Sequence, residues 1–272
     1  MIKEKAMKRI TAVYFSPTHT SQKVVEAFCE GAGLPTVEFD LTLPEGREKE
    51  IEVAEDSLLV LCAPVYGGHT ARVFMQKIRP LKGAGQRAVL ISVYGNRHYD
   101  MALKELYEAA AGCGFRPVAW GRFIGEHSFN SRIQTGRPDE NDLERAKEFG
   151  RTVAAKADKA DVLNEDEVPG RDVDIATIGM HGVRLRGMTP GHPIPSDGCI
   201  GCGTCATACP MGIINPLNSS DINGNCIKCN ACVKACPVGA MAFPQEDFRI
   251  VREDCMDEFG NDIHVPEFFV NA

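Results

Sequence analysis

Apolar runs and amphipathic stretches alternate along the first 160 residues. Five runs rich in apolar and β-branched residues predict strands: RITAVYF, TVEFDL, SLLVLCAPV, RAVLISVYG and RPVAWGRFIG. Four stretches with apolar residues at helical spacing predict helices: SQKVVEAFCEGAG, ARVFMQKI, MALKELYEAAAGCG and DENDLERAKEFGRTVAAKA. Strands that are apolar on both faces and alternate with helices predict an α/β fold with a doubly wound, five-stranded parallel sheet. One common strand order for such a sheet is 2-1-3-4-5.

The pattern changes after this alternating part, which we assign to a first domain at residues 1–160. Residues 161–192 are rich in Gly, Pro and Arg and predict a connecting segment. A cysteine-rich domain is expected at residues 193–246. The tail at residues 247–272 carries phenylalanines, which favour packing against one of the domains.

The composition is that of an ordinary globular protein of 272 residues, with 44% hydrophobic and 25% charged residues. The net charge of −7 disfavours nucleic acid as a partner, because a phosphate-binding face needs an excess of Lys and Arg. The N-terminal sequence lacks the apolar run of a signal peptide, and no apolar run is long enough to span a membrane. We therefore expect a cytoplasmic protein whose thiols stay reduced and serve metal or redox chemistry.

Eight of the 12 cysteines form two copies of the pattern C-x-x-C-x-x-C-x-x-x-C-P, which begin at Cys199 and Cys226. Such runs are typical of proteins with two iron–sulfur clusters, where three cysteines of one run hold one cluster and the fourth holds the other. Small residues between the cysteines allow backbone N–H groups to approach the sulfur atoms. The pattern predicts two [4Fe-4S] clusters, with one ligand set of Cys199, Cys202, Cys205 and Cys236 and another of Cys226, Cys229, Cys232 and Cys209.

Zinc and disulfides are the alternatives for these cysteines. Paired C-x-x-C sequences also bind zinc, but zinc sites rarely use three cysteines at two-residue gaps followed by C-P. A reducing compartment disfavours disulfides. The two runs resemble the bacterial two-[4Fe-4S] ferredoxin over residues 193–246, and this resemblance implies a small α+β domain. The other four cysteines are scattered and are interpreted as small buried residues: Cys29, Cys62, Cys113 and Cys255.

Hydroxyl side chains cluster where the first predicted strand gives way to a helix, in the sequence SPTHTS. Doubly wound sheets bind ligands at the carboxyl ends of their strands, and hydroxyl groups beside a helix N-terminus suit a phosphate. The loop has no lysine and does not match the G-x-x-x-x-G-K-[ST] motif of nucleoside triphosphate sites, so it favours a monophosphate. The alternative is an ordinary helix N-cap. The loop residues concerned are Ser16, Thr18, His19, Thr20 and Ser21.

Two further loops follow strands at the same predicted edge of the sheet, APVYGGHT after the third strand and VYGNRHYD after the fourth. Each has a tyrosine before a glycine, so Tyr66 and Tyr94 are placed to flank a planar ring. The glycines allow the backbone to reach the polar edge of that ring. The candidate residues of these loops are Pro64, Val65, Tyr66, Gly67 and Gly68, together with Tyr94, Gly95, Asn96, Arg97, Tyr99 and Asp100.

On these three loops, the first domain resembles a flavodoxin over about residues 8–158. The resemblance implies FMN, held by the hydroxyl-rich loop and flanked by the two tyrosine loops. Flavodoxins carry a glycine where this chain has His19, so His19 either weakens FMN binding or contacts the phosphate itself. Arg97 is a candidate to stabilise a reduced, anionic flavin, and the alternative is a surface arginine beside a turn. No acid–base pair stands out in the loops, so no catalytic residue is assigned.

The whole chain resembles a family of flavodoxin–ferredoxin fusion proteins found in anaerobes, and the sequence YGNRHYDMAL matches that family's third loop. The resemblance implies the cofactors, and because clusters pass one electron and FMN accepts one or two, the leading hypothesis is electron transfer within the chain, from a soluble ferredoxin or reductase through the clusters to a flavin near Tyr94. Two alternatives stay open: a ferredoxin-dependent flavin reductase of a small molecule, or a ferredoxin with a degenerate flavodoxin-like docking domain. We expect redox proteins as partners, with a small-molecule substrate under the reductase hypothesis.

Overall fold

A computed structural model describes residues 7–172, 179–180, 183–184, 191–244 and 246–271. The strands are β1 (Arg9–Tyr14), β2 (Thr36–Asp40), β3 (Ser57–Tyr66), β4 (His69–Thr70), β5 (Arg87–Tyr94), β6 (Arg116–Ile124), β7 (Gly179–Met180), β8 (Val183–Arg184), β9 (Ile194–Pro195), β10 (Ile214–Asn215), β11 (Asn218–Ile222), β12 (Met241–Ala242) and β13 (Glu267–Val270). The helices are α1 (Thr20–Ala32), α2 (Pro44–Glu48), α3 (Arg72–Ile78), α4 (Ala102–Gly112), α5 (Glu140–Lys156), α6 (Thr204–Thr207), α7 (Ala231–Ala235) and α8 (Glu246–Phe259). A short 3-10 helix spans Glu165–Glu167.

The main sheet has the order β2-β1-β3-β5-β6, and these five strands are parallel. The predicted order 2-1-3-4-5 is therefore confirmed, and the α/β fold is flavodoxin-like. The apolar runs of the sequence become the central strands, and in β3 the first eight residues are buried. Because strands of a parallel sheet are covered on both faces, a continuous apolar run suits this position.

Helices cover both faces of the sheet. On one face, α1 and α5 pack together, with Phe28 and Phe149 in edge-to-face contact at a centroid distance of 5.0 Å. On the other face, α3 and α4 bury Phe74 and Leu106. Helix α5 begins with a capping box in which the Asp139 side chain accepts a hydrogen bond from the N–H of Asp142. The amphipathic stretches predicted as helices therefore close a two-sided core.

The C-terminal segment adds a strand that the five-stranded prediction lacked. Strand β13 pairs antiparallel with β6 and so occupies an edge of the main sheet. Phe268 stacks on Phe149 at 4.8 Å and Phe269 stacks on Trp120 at 6.1 Å. The segment thus satisfies backbone groups that an edge strand would otherwise expose.

The cysteine-rich part forms a small α+β unit built from α6, α7 and the short strands β9 to β12. It contacts the first domain through Arg47, whose side chain donates to the carbonyl oxygen of Pro210, and through Ile227, which packs against the first domain's core. Of the predicted connecting segment, residues 161–172 are described, and Leu163 and Val168 are buried in that core. Most of the rest, at 173–178, 181–182 and 185–190, lies outside the described residues. The predicted domain boundaries stay predictions.

None of the helices in the described parts of the chain is long and apolar enough to cross a membrane.

Candidate functional site

Two groups of four cysteines line two separate cavities. We call the group around a cavity of about 300 Å³ the outer thiol set, which is Cys199, Cys202, Cys205 and Cys236. We call the group around a cavity of about 360 Å³ the inner thiol set, which is Cys209, Cys226, Cys229 and Cys232. Each group takes three cysteines from one run and one from the other. The structure therefore brings together the two crossed sets that the spacing predicts.

The two cysteine runs follow the same local path. Gly201 and Gly203 have positive φ angles of 68° and 73°, and Lys228 and Asn230, at the equivalent places of the second run, have 57° and 61°. These left-handed residues on either side of the second cysteine curl the backbone around the cavity. In the second run this path directs the N–H of Lys228 to the Cys226 sulfur at 3.3 Å. Such hydrogen bonds stabilise sulfur ligands in their charged form.

The space between the thiols fits a cluster better than a single ion. In the described parts of the chain, no three His, Cys, Asp or Glu side chains converge closely enough to hold one metal ion. The cysteines instead surround cavities, which is the arrangement that a four-cornered cluster needs. Burial raises the pKa of the Cys229 and Cys232 thiols to about 12. Metal binding at the inner thiol set therefore has to displace thiol protons.

The two thiol sets differ in exposure. In the outer thiol set, Cys199 and Cys202 are exposed, and the neighbouring Ile200 side chain is 64% exposed. In the inner thiol set, Cys229 and Cys232 are buried. The outer thiol set therefore faces solvent, whereas the inner thiol set faces the protein.

A third cavity, of about 580 Å³, lies at the carboxyl ends of the parallel strands. This is the edge at which doubly wound sheets bind their ligands. The predicted residues that line it are Thr18, Thr20, Pro64, Val65, Tyr66, Gly67, Gly68, Tyr94, Gly95 and Arg97. We call it the edge cavity. All three predicted loops contribute to it.

The hydroxyl-rich loop ends at the N-terminus of α1, where backbone N–H groups are available. Among the described residues, no hydrogen bond uses the N–H of Thr20 or Ser21. The Ser21 hydroxyl is also buried with no partner in that part of the chain. Free N–H groups at a helix N-terminus suit an anion such as a phosphate. These groups therefore fit the phosphate of a flavin nucleotide.

His19 takes the backbone conformation that a glycine usually provides. Its φ angle is 62°, and its ring contacts the Gln22 side chain at 3.0 Å on the protein surface. The side chain does not line the edge cavity. The left-handed turn is thus kept without glycine, because the imidazole points to solvent and leaves the loop open.

Glycines let the other two loops approach each other. A Cβ atom on Gly95 would lie 2.7 Å from the His127 ring, and one on Gly68 would lie 2.8 Å from the Asp100 carboxylate. Gly68 also has a φ angle of 86°. Larger residues at these two positions would clash with a neighbouring loop, so the cavity wall depends on them.

Other predicted residues support the edge cavity without lining it. Ser16 accepts a hydrogen bond from the N–H of Gln22, and Tyr99 packs under the His98 ring at 4.3 Å. Asp100 is fully buried and pairs with Arg97, and its other oxygen accepts from Arg171 at 2.8 Å. Asp100 therefore fixes the loop and the Arg97 side chain.

Asn96 connects the same loop to the C-terminal segment. Its amide is fully buried and donates to the carbonyl oxygens of Phe259 at 2.7 Å and Asp262 at 3.1 Å. Tyr94 also lines the edge cavity, but its side chain is buried against Tyr99. These contacts give Asn96 and Tyr94 mainly a structural role in the loop.

A fourth loop lines the edge cavity and was missed by the sequence prediction. It follows β6 and contributes Gly125, Glu126, His127 and Ser128. The topology carries the signal for this loop, because β6 ends at the same sheet edge as β1, β3 and β5. His98 also lines the cavity.

The inner thiol set lies next to the edge cavity. Tyr66 lines the cavity, and burial together with the nearby Cys229 raises the pKa of its phenol well above the usual value. Lys234, two residues after Cys232, pairs at 2.6 Å with Glu126 on the cavity wall. The Lys234–Glu126 pair and the effect of Cys229 on Tyr66 therefore connect the inner thiol set to the cavity wall.

The sheet order and the cysteine pattern define an α/β domain of flavodoxin type joined to an iron–sulfur domain. Residues 196–241 match the family described as the 4Fe-4S dicluster domain. The chain thus combines a flavodoxin-like α/β domain with a segment that matches a 4Fe-4S dicluster domain.

Several solved structures are similar to part of the chain. A flavodoxin from the domain Archaea is 15% identical, with a TM-score of 0.37, over 54% of this chain and 97% of that one. A flavodoxin from Streptococcus pneumonia TIGR4 is 14% identical, with a TM-score of 0.40, over 54% of this chain and 99% of that one. Rubredoxin oxygen:oxidoreductase from the anaerobe Desulfovibrio gigas is 17% identical, with a TM-score of 0.44, over 57% of this chain and 38% of that one. No curated protein matched the chain.

Proposed function

We propose that the chain transfers electrons between two [4Fe-4S] clusters, one in each thiol set, and FMN in the edge cavity. The observation that carries this proposal is the ion pair of 2.6 Å between Lys234, two residues after Cys232 of the inner thiol set, and Glu126 on the wall of the edge cavity. Iron–sulfur clusters exchange single electrons and flavins exchange one or two, so the combination connects one-electron to two-electron chemistry.

The residues around the edge cavity suit the two ends of FMN. The free N–H groups of Thr20 and Ser21, with the hydroxyl groups of the loop, would hold the phosphate. The backbones of Gly67, Gly68 and Gly95 would lie against the polar edge of the ring.

Two charged groups on the cavity wall are held in place by neighbours. Arg97 is fixed by the buried Asp100 and brings a positive charge to the cavity. Glu126 is held by Lys234, and its pKa is lowered because hydrogen bonds from the Gly136 N–H and Lys234 outweigh its burial. A fixed cation near a ring that gains electrons favours the reduced, anionic form of that ring.

The exposed outer thiol set is the side that a redox partner protein would reach. Cys199 and Cys202 are exposed, whereas the run that carries most of the inner thiol set is joined to the wall of the edge cavity by the Lys234–Glu126 pair. We therefore propose that electrons from the partner protein pass first through the outer thiol set, then through the inner thiol set, and then into the edge cavity. This order supports a carrier that docks an external redox protein.

Anaerobic reconstitution tests the proposal. The protein is loaded with iron and sulfide, iron is counted, and FMN is titrated while flavin fluorescence is recorded. We expect about eight irons per chain and saturable quenching at one FMN. Thr20→Val weakens this quenching, whereas Thr152→Val, whose hydroxyl bonds to its own helix, leaves it unchanged. Clusters without FMN binding would leave only a ferredoxin, and turnover with a small-molecule acceptor would favour a reductase.

A further inference from the structure

Arg47 is a side chain of the first domain that reaches the loop of the inner thiol set. Its guanidinium donates to the carbonyl oxygens of Leu41 at 2.9 Å and Thr42 at 2.7 Å, and to that of Pro210 at 2.5 Å. Pro210 directly follows Cys209, a member of the inner thiol set. One arginine thus holds backbone from both domains in a single fork, a geometry that lysine does not reproduce.

The cysteine-rich part turns sharply where it meets the start of α2. Gly212 has a φ angle of 62°, and a Cβ atom on it would lie 3.3 Å from the Pro44 ring at the start of α2. Helix α2 therefore packs against the turn that follows Cys209. Arg47 lies in the same short helix and is partly buried.

The guanidinium lies beside Cys209, because the carbonyl oxygen to which it donates belongs to the next residue, Pro210. Burial lowers the pKa of Arg47, while the negative charges of Glu45 and Cys209 act in the opposite direction. An arginine stays protonated under all ordinary conditions, so this position carries a permanent positive charge. A partly buried charge acts more strongly on its neighbours than an exposed charge does, because water and salt screen the exposed charge.

We propose that Arg47 is a positioning residue for the inner thiol set, which fixes the Cys209 loop on the first domain and raises the reduction potential of the cluster held there. The inference rests on the proposed function, since it requires a cluster at the inner thiol set. Cluster potentials depend on local charge, hydrogen bonds and exposure. A fixed cation favours the state that carries the additional electron, so the inner cluster accepts electrons more readily than it would without Arg47.

The test measures cluster potentials by redox titration with electron paramagnetic resonance, on the full chain loaded with iron–sulfur clusters. Arg47→Gln removes the charge and is expected to lower one of the two potentials. The same substitution in a Cys202→Ala background, which disables the outer thiol set, assigns the shifted signal to the inner cluster. Arg87→Gln is the matched control, because Arg87 also donates to a backbone carbonyl oxygen, that of Asp158, within the first domain.

A second variant separates charge from positioning. Arg47→Lys keeps the charge and loses the fork, so the potential stays close to that of the wild type. Hydrogen exchange at residues 209–213 becomes faster, because the Pro210 carbonyl oxygen loses its donor. This variant also keeps the proposal testable when Arg47→Gln does not fold.

Three results would overturn the inference: no shift with Arg47→Gln, an equal shift of both clusters, or the same shift with Arg87→Gln. For Arg47→Lys, unchanged hydrogen exchange would overturn the positioning role. A wild-type chain that assembles no clusters contradicts the proposed function instead. If the wild-type chain assembles both clusters and Arg47→Gln leaves their potentials unchanged, only the role of Arg47 is contradicted.

Discussion

The side-chain amide of Asn96 donates a hydrogen bond of 2.7 Å to the backbone carbonyl oxygen of Phe259. This contact joins the loop after β5, which lines the edge cavity, to the last turn of α8. The C-terminal segment thus supports the candidate flavin site although it follows the cysteine-rich part in the chain.

Replacing Asn96 should weaken the attachment of the loop after β5 to the C-terminal segment. Asn96→Gly tolerates the φ angle of 70° but loses two hydrogen bonds, one to each carbonyl oxygen, so we expect a loss of ~1–3 kcal/mol in the free energy of unfolding. Gln134→Gly is the control, because Gln134 also has a positive φ and donates to the Asp262 carbonyl oxygen from a more exposed position. Urea titration and hydrogen exchange at residues 255–262 measure the effect. Equal losses in both variants would argue against a special role for Asn96.

The crossed ligand sets predict a pattern of iron loss. Cys202→Ala and Cys236→Ala each remove a ligand of the outer thiol set, so each should lose about four irons, and the double variant should lose no more. Cys202→Ala with Cys229→Ala removes one ligand from each set and should lose about eight. Iron counting after anaerobic reconstitution checks this. Additive loss in Cys202→Ala with Cys236→Ala would show that these residues do not share a cluster.

Tyr66 should contribute to FMN affinity through its ring. Tyr66→Ala removes the aromatic wall of the edge cavity and should weaken FMN binding roughly tenfold, whereas Tyr66→Phe should keep it near the wild-type value. Tyr107→Ala is the matched control, because Tyr107 is also partly buried but donates to the Leu163 carbonyl oxygen away from the cavity. Fluorescence quenching titrations give the dissociation constants. Wild-type affinity in Tyr66→Ala would place the flavin elsewhere.

His19 should be replaceable by glycine. His19→Gly fits the φ angle of 62° and should change the free energy of unfolding by less than ~1 kcal/mol, with FMN affinity preserved. His19→Val places a β-branched residue in the left-handed region and should cost ~1–2 kcal/mol. Lys23→Val, an exposed position inside α1, controls for the added apolar surface. Denaturant titration measures stability. A large loss of FMN affinity in His19→Gly would assign the imidazole a direct part in binding.

His127 should make stability depend on pH. Burial, with Lys234 and Arg97, lowers its pKa to about 4. An unfolded histidine titrates near ~6.5, so between that pH and about 4 the unfolded chain binds more protons. Stability therefore falls as the pH falls through this window. At about pH 5 this effect lowers the free energy of unfolding by ~2 kcal/mol, and His127→Gln removes it.

Urea midpoints of wild type and His127→Gln at about pH 7.5 and pH 5 test this, because acid effects shared by both proteins cancel in the difference. His19→Gln, at an exposed imidazole, is the control. Parallel pH profiles of wild type and His127→Gln would contradict the prediction.

Much of the fold was predictable because its signals are local. The five parallel strands and the four helices between and after them are close to their predicted positions, since apolar runs and helical spacing each act within a few residues. Strand β13 was not predicted. Its sequence, EFFV, is short, and its partner β6 lies more than a hundred residues earlier. Short apolar segments do not show by themselves whether they form a sheet edge.

The candidate sites show the same division. The sequence placed three loops at one sheet edge, but the inward or outward direction of each side chain depends on distant contacts. The Asn96 side chain bonds to Phe259, and the buried Asp100 pairs with Arg171, so neither side chain points into the cavity. The loop at residues 125–128, with the sequence GEHS, carries neither the hydroxyl cluster nor the tyrosine–glycine pair that marks the other three loops.

The sequence by itself determined the elements of the sheet and the pairing of cysteines into two crossed sets, because strand and helix patterns and ligand spacing are properties of short segments. Only the tertiary structure decided which of the two similar cysteine runs faces the edge cavity. Both runs follow the same local path, with left-handed residues at equivalent places. The second run faces the edge cavity because of contacts such as Lys234 with Glu126, which join residues more than a hundred positions apart and exist only once the chain is folded.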